Sequence, residues 1–367
     1  GGLGMALRAG PDLARIDAEV RRVLSLFEDA GALRVEPAAL QPADTLLDLY
    51  GEDIRARAFV TRDARGEWML RPDFTVPVVQ RHMAEGAEPA RYAYAGTVWR
   101  RPPEGVAREP EYLQAGFELF GGGDRAAADA EVFALIHKAM AGRTVEVATG
   151  DMGLVLAAIA GLEPSDARRA ALRRHLWRPA RFARLLERFA AAPAPNPVLP
   201  EGDFEAAIAA AGKPVGKRRR TDVLARLERL AEDAQVPPIP EAQVAALTRI
   251  LGLRAPASEA LEVLRGLGSV LPTLGPATAA FSARLEALRS HGFAPEALPF
   301  EGSYGRTSME YYDGFVFGFL APDRPDLPVL ASGGRYDALT RVLGGAAGGV
   351  PAVGGILRPE ALLEVVP

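Results

Sequence analysis

Hydrophobic residues recur at helical spacing at Leu13, Ile16, Val20, Val23, Leu24 and Phe27, which predicts a first helix that Gly31 ends. The pattern then turns extended. Leu33–Pro37, Ala58–Thr61 and Trp68–Leu70 read as strands, with Asp63-Ala64-Arg65-Gly66 as a hairpin turn. The run LRPDFTVPVVQRHMAEG passes from a strand end into a helix around Val76–Met83. Two further strands are expected at Tyr94–Arg100 and Tyr112–Phe120, joined by a polar, proline-containing loop that carries Arg108. A period of two places Gln114, Gly116 and Glu118 on one face of the second strand, and Leu113, Ala115, Phe117 and Leu119 on the other. Two polar side chains and a missing one on a single face suggest a ligand lying on a sheet, although a half-buried hairpin gives the same pattern. A helix near Arg125–Ala141 and a strand at Thr144–Ala148 follow.

From about Gly150 to Gly292 the chain is rich in alanine, leucine and arginine, with helical patterns broken by proline clusters at 193–200 and 237–240. No strand is expected there. Strand patterns return at Tyr311–Leu320 and Val329–Ser332, GGRYDALTRVLGG opens a helix, and the chain closes with AVGGILRPEALLEVVP. Strand-rich segments on both sides of a helical block predict an α+β core over 5–149 and 293–367, with a helical insertion over 150–292.

Composition narrows the chemistry. The 367 residues suffice for a large core plus a second unit, since single cores stop growing near ~250–300 residues. The net charge of −4 gives no electrostatic case for a nucleic-acid binder. Without cysteine there is no disulfide, thiolate zinc site or cysteine nucleophile, and the four scattered histidines do not form a metal cluster. No apolar run reaches the ~18 residues of a membrane span and no leader pattern is visible, so a cytoplasmic protein is expected. GGLG ahead of Met5 reads as an appendage of cloning. Lysine occurs only at 138, 213 and 217, so nearly all positive charge is arginine, as a GC-rich genome would give. KRRRT at 217–221 is most simply a solvated helix start.

Five segments, in order, resemble the catalytic core of histidyl-tRNA synthetase, a class II aminoacyl-tRNA synthetase: LRPDFT at 70–75, the 94–120 block, YYDGFVF at 311–317, GGRYD at 333–337 and AVGG at 352–355. The resemblance implies an antiparallel sheet of about six strands flanked by helices, in a homodimer. Val35-Glu36-Pro37 lies where that family places a dimer-interface proline. It also implies a histidine pocket. Asp73 stands in place of a glutamate, Thr75 is kept, Gln114 and Glu118 match the strand residues that hold the amino acid, and Tyr311 and Tyr312 match a tyrosine pair near the imidazole. Carboxylates can accept from an ammonium or an imidazole N–H while hydroxyls fix the ring.

The nucleotide side of the resemblance is broken. Arg100 survives as the loop arginine, with Arg108 beyond it. Pro102, which has neither an acceptor side chain nor an N–H, stands where a glutamate would read adenine. Ala361 occupies the position of a phosphate-gripping arginine, and Thr307 that of a catalytic arginine. Arg306 lies one place off, which on a strand is the other face. Each lost transition-state donor costs ~10²–10³ in rate, so adenylation is not expected. An anticodon-binding domain after the last motif, as a synthetase carries, is not expected. This combination resembles the regulatory subunits of ATP phosphoribosyltransferase, synthetase paralogues that do no chemistry themselves. The resemblance implies assembly with the short-form catalytic subunit of the first step of histidine biosynthesis, feedback control by L-histidine, and no cofactor or metal. An active truncated synthetase or adenylating relative, and a tRNA-sensing module, are the alternatives.

Overall fold

The computed structural model describes residues 9–50, 52–193, 199–212, 219–307 and 311–366. Its strands in chain order are β1 (Leu33–Arg34), β2 (Leu40–Pro42), β3 (Val60–Asp63), β4 (Gly66–Leu70), β5 (Ala90–Trp99), β6 (Glu111–Phe120), β7 (Glu146–Asp151), β8 (Arg254–Pro256), β9 (Pro299–Glu301), β10 (Phe315–Leu320), β11 (Ala331–Arg335) and β12 (Ala352–Leu357). Nine of them form one sheet in the order β1-β5-β6-β12-β11-β10-β7-β9-β8, while β2-β4-β3 form a second, small sheet. The six strands from β5 to β7 pair antiparallel throughout. At the margins β1 pairs parallel with β5, and β9 parallel with β7, so the whole sheet is mixed.

The alternation in β6 divides the molecule. Ala115, Phe117 and Leu119 face a large apolar cluster shared with helices Pro11–Asp29, Arg125–Ala139 and Leu274–Ser290. Tyr94, Val98 and Phe120 face a second cluster with Met69, Phe74, Val76, Tyr311 and Tyr336. The helices between 152 and 290 add Leu172, Phe182, Phe189, Leu247 and Ile250 to the first cluster, so their core continues that of the sheet. Two buried ion pairs reinforce this contact. Arg284 of the Leu274–Ser290 helix meets Asp151 at 2.6 Å and Asp129 at 3.6 Å.

Three sequence expectations change. Arg254–Pro256 is a strand inside the stretch read as strand-free; three residues bounded by proline are too few to show a period of two. The segment expected as a strand from Tyr311 becomes one only at Phe315. The Asp313 carboxylate accepts from the backbone N–H groups of Asp337 (3.1 Å) and Ala338 (2.9 Å), which holds 311–314 as a turn against the start of the next helix. The stretch Leu33–Pro37 is strand only at Leu33–Arg34, although Val35 N–H still reaches Ala93 O before Pro37, which has no N–H, ends the ladder. Of KRRRT, Lys217 and Arg218 lie outside the described residues; the remainder begins helix Arg220–Ala234, with Arg219 N–H donating to Asp222 at 3.0 Å. The proline cluster at 193–200 and the residues before Ala9 lie largely or wholly outside the described residues.

Candidate functional site: a tyrosine-clamped pair of carboxylates

A cavity of about 580 Å³ opens on the sheet face opposite the large helical cluster. Asp73, Thr75, Arg100, Gln114, Tyr311 and Tyr312 all line it, as do Arg57 and Arg358. Elements far apart in sequence therefore converge as the motif spacing suggests. Helix Thr75–Glu85 begins at Thr75, with Asp73 in the turn before it; β6 supplies Gln114, and the 311–314 turn supplies both tyrosines. Gln114 is 1% exposed, and its Oε1 has no partner among the described residues. A buried, unpaired carbonyl costs about 1–3 kcal/mol, so a donor from a ligand in the cavity would be favoured there.

Two buried carboxylates are each held by tyrosine hydroxyls. Asp73 accepts from Tyr50 (2.7 Å) and Tyr311 (3.1 Å). Glu118 accepts from Thr75 (2.8 Å), Tyr94 (2.8 Å) and Tyr336. Burial raises both carboxyl groups despite these donors, Asp73 above its ordinary value and Glu118 to about 7. Asp73 is the one a ligand meets. Glu118 does not line the cavity: all its hydrogen bonds go to protein hydroxyls, and it sits behind Thr75 and Tyr94.

Gly116 is also filled from within. Tyr94 is its direct partner across the β5–β6 ladder, and a Cβ on Gly116 would lie 2.3 Å from the Tyr94 hydroxyl. The missing side chain thus makes room for Tyr94, whose ring stacks on Phe74 at 4.5 Å, rather than for a ligand. Tyr94 cannot swing aside, being fully buried and bonded to Glu118. Gly116→Ala is therefore expected to lose about 1–3 kcal/mol of stability, read as a lower midpoint of denaturant unfolding at unchanged slope. Gly354 plays the same part on β12: a Cβ there would lie 1.7 Å from Glu118 Oε2.

The arginines separate. Arg100 is buried, donates through Nε to Pro72 O at 2.6 Å, and lines the cavity. Arg108 is exposed and lines a neighbouring hollow of about 670 Å³. Arg306 turns away. Its Nε donates to Leu176 O at 3.0 Å and its guanidinium lies over Phe182, while Thr307 faces the cavity in its stead.

Three clamp residues, Tyr50, Tyr94 and Tyr336, were not singled out from sequence. Tyr94 was within reach, because a hairpin centred on the 101–110 loop sets it opposite Gly116. Tyr50 follows a short helical turn in an irregular segment with no periodic signal.

The profile of the histidyl-tRNA synthetase family matches residues 6–362. The ATP phosphoribosyltransferase regulatory subunit of Mesorhizobium japonicum is 35% identical over 96% of this chain and 100% of its own length. The subunit of the same name from Brucella anthropi is 32% identical over 94% of this chain and 96% of its own. The chain belongs to the ATP phosphoribosyltransferase regulatory subunit family. A solved structure described as an ATP phosphoribosyltransferase regulatory subunit/histidyl-tRNA synthetase from Bacillus halodurans shares the fold, with a TM-score of 0.70 at 22% identity, covering 99% of this chain and 82% of that one. The class II synthetase-like fold is thus common ground, and membership of the regulatory family favours that reading over a synthetase.

Two of the three departures from the synthetase pattern lie at the second hollow, while the third, Thr307, lines the first cavity. Pro102 and Ala361 both line the second hollow, beside Tyr112, Leu113, Arg100 and Arg358. Burial alone would raise the Tyr112 phenol, but Arg100 and Arg358 on either side bring it below its ordinary value. Glu360, next to Ala361, is engaged by the backbone, accepting from Leu113 N–H at 2.8 Å. The strand half of the 94–120 block thus lies at the Gln114 cavity, and its loop half at a hollow whose wall has proline and alanine at the two positions assigned to nucleotide recognition.

Proposed function

We propose that the chain is a non-catalytic regulatory subunit that binds L-histidine in the Asp73–Gln114–Tyr311 cavity and conveys its presence to the short-form catalytic subunit of ATP phosphoribosyltransferase. One observation carries the reading: Gln114, buried with an unpaired Oε1, lines the same cavity as Asp73, while Pro102, Thr307 and Ala361 stand where the synthetase pattern has groups that adenylation needs. The ammonium of the ligand has Asp73 and Gln114 to donate to, and Tyr311 and Tyr312, rings 5.0 Å apart, supply an aromatic wall. Thr75 and Arg100 complete the lining, and Glu118 holds Thr75 and Tyr94 in place from behind. Feedback requires that histidine bind two states of the assembly with different affinity, since equal binding shifts nothing.

The subunit is expected to work as a homodimer inside a hetero-oligomer, in the cytoplasm. In support, Leu33 and Leu40 are exposed at the margin of a hollow bordered by Val35, Pro37 and Tyr92, where the first family motif lies. Among the described residues no helix is long and apolar enough to cross a membrane.

The test adds the purified chain to the short-form catalytic subunit and follows phosphoribosyl transfer with and without L-histidine. Stimulation by the chain, reversed by histidine, is the expected result. A catalytic subunit indifferent to the chain would refute the proposal. In a parallel assay, histidine-dependent exchange of pyrophosphate into ATP is expected to be absent; exchange would revive the synthetase alternative.

A further inference from the structure

The cavity wall formed by 301–307 is fastened to the helical block. Gly302 N–H donates to Leu253 O at 2.9 Å, Ser303 Oγ donates to Leu251 O, and Arg306 reaches Leu176 O while covering Phe182. Leu176 ends helix Asp166–His175 and Phe182 lies in helix Pro179–Ala190, and these two helices pack on each other. The link from the cavity therefore ends on one helical hairpin.

The outer face of that hairpin is unlike the rest of the chain. Residues 166–190 hold eight arginines against two carboxylates, in a chain whose net charge is −4. Arg168 and Arg169 are spent internally, on Asp233 at 2.8 Å and on Asp166. Arg173, Arg174, Arg181, Arg184 and Arg188 are exposed. Arg173, Arg174, Arg181 and Arg184 have no ion-pair or hydrogen-bond partner among the described residues. Arg181, Arg184 and Arg188 are spaced three and four apart, so they form one stripe, while Phe182, Leu186 and Phe189 turn inward. Genome bias explains arginine in place of lysine. It does not explain why so many gather on one hairpin: exposed arginines without a partner among the described residues also occur at Arg21, Arg34 and Arg249, but singly, and others such as Arg265 and Arg324 have acidic neighbours within 3 Å.

We propose that this arginine ridge is a docking surface for an acidic patch on the catalytic partner. The proposal rests on the regulatory reading above and gives it a contact surface joined to the ligand cavity through Arg306. A compact protein patch fits better than a nucleic acid. The adjoining helix Arg220–Ala234, tied to the hairpin by the Arg168–Asp233 pair, exposes Asp222, Glu228 and Glu232 among its arginines, which would repel a long polyanion.

The test measures the affinity of the full chain for the short-form catalytic subunit by sedimentation, at low and high salt. Three forms are compared: wild type, Arg181→Glu/Arg184→Glu/Arg188→Glu, and the same positions changed to lysine. The reversal is expected to weaken binding by roughly tenfold or more, the lysine form to stay close to wild type, and wild-type affinity to fall with salt. Binding of L-histidine to the reversal variant, unchanged from wild type, certifies its fold. A folded reversal variant that binds the partner like wild type overturns the ridge while leaving the regulatory reading intact. A wild-type chain that binds no catalytic subunit overturns that reading and the ridge with it. Duplex RNA that binds the ridge at physiological salt and displaces the catalytic subunit would overturn the protein partner.

Discussion

Asp73→Asn is expected to lower the affinity for L-histidine by roughly ten- to a hundredfold while costing the fold far less. A buried charge-assisted contact to an ammonium contributes about 1.5–3 kcal/mol, and its removal leaves the ligand's charge facing an amide. The fold reads the same change differently. Burial raises the Asp73 carboxyl above its ordinary value, so its charge costs the folded chain more than it costs the unfolded one, and a neutral amide removes that cost. Asparagine keeps one oxygen for one of the two tyrosine hydroxyls, which bond to different carboxylate oxygens of Asp73; the other hydroxyl can turn to accept from the amide N–H, and Arg100 keeps its bond to Pro72 O. Calorimetric titration with histidine, paired with urea unfolding, separates the two effects. Equal histidine affinity in the variant and the wild type would remove Asp73 from the ligand site.

The second large effect is on pH. Burial raises the Glu118 carboxyl in the folded chain from 4.5 to about 7. Between those values the folded state binds more protons than the unfolded state, so stability falls as pH rises. The contribution is complete below the unfolded value and is lost on passing through about pH 7; the difference corresponds to about 3 kcal/mol. Asp313, raised to about 6 by burial and by Asp337, adds a loss of the same sign. Glu118→Gln keeps an acceptor for the Thr75 and Tyr94 hydroxyls and cannot titrate, so its thermal midpoint is expected to change less from pH 5 to pH 8 than that of the wild type. Identical pH profiles would show that Glu118 is ionised throughout. A histidine ammonium in the adjoining cavity favours the carboxylates, so ligand affinity is expected to rise with pH over the same range.

Much of the fold was legible because it is written in periodicity. The helical stripe from Leu13 to Phe27, the hairpin turning at Asp63–Gly66 and the two faces of β6 all rest on local rules, and the structure follows them. The marginal strands β8 and β9, each of three residues, carry no period to detect and owe their pairing to neighbours far away in sequence. The turn at 311–314 escaped because Tyr311 and Tyr312 favour strands and run on into Phe315–Leu320, while the contact of Asp313 with the backbone of Asp337 and Ala338 is long-range.

For the site, motif order brought Asp73, Thr75, Gln114, Tyr311 and Tyr312 to one cavity wall. Sequence could not say that Glu118 would be enclosed by three hydroxyls, or that Gly116 would be filled by Tyr94 instead of a ligand, because both depend on cross-strand partners. Arg306 and Thr307 do point to different sides, but in a turn after β9 and not on the strand from which the sequence argument started. Where Arg306 then goes, under Phe182 in the helical block, was visible only in three dimensions.

The central claim is that this cavity recognises histidine without activating it. Calorimetric titration of L-histidine into the assembled wild-type complex, repeated with Asp73→Asn, tests it most directly. The account predicts saturable binding to the wild type that is sharply weakened in the variant. A wild-type complex that gives no binding heat at any temperature tried, with no protection from unfolding by histidine, would contradict it.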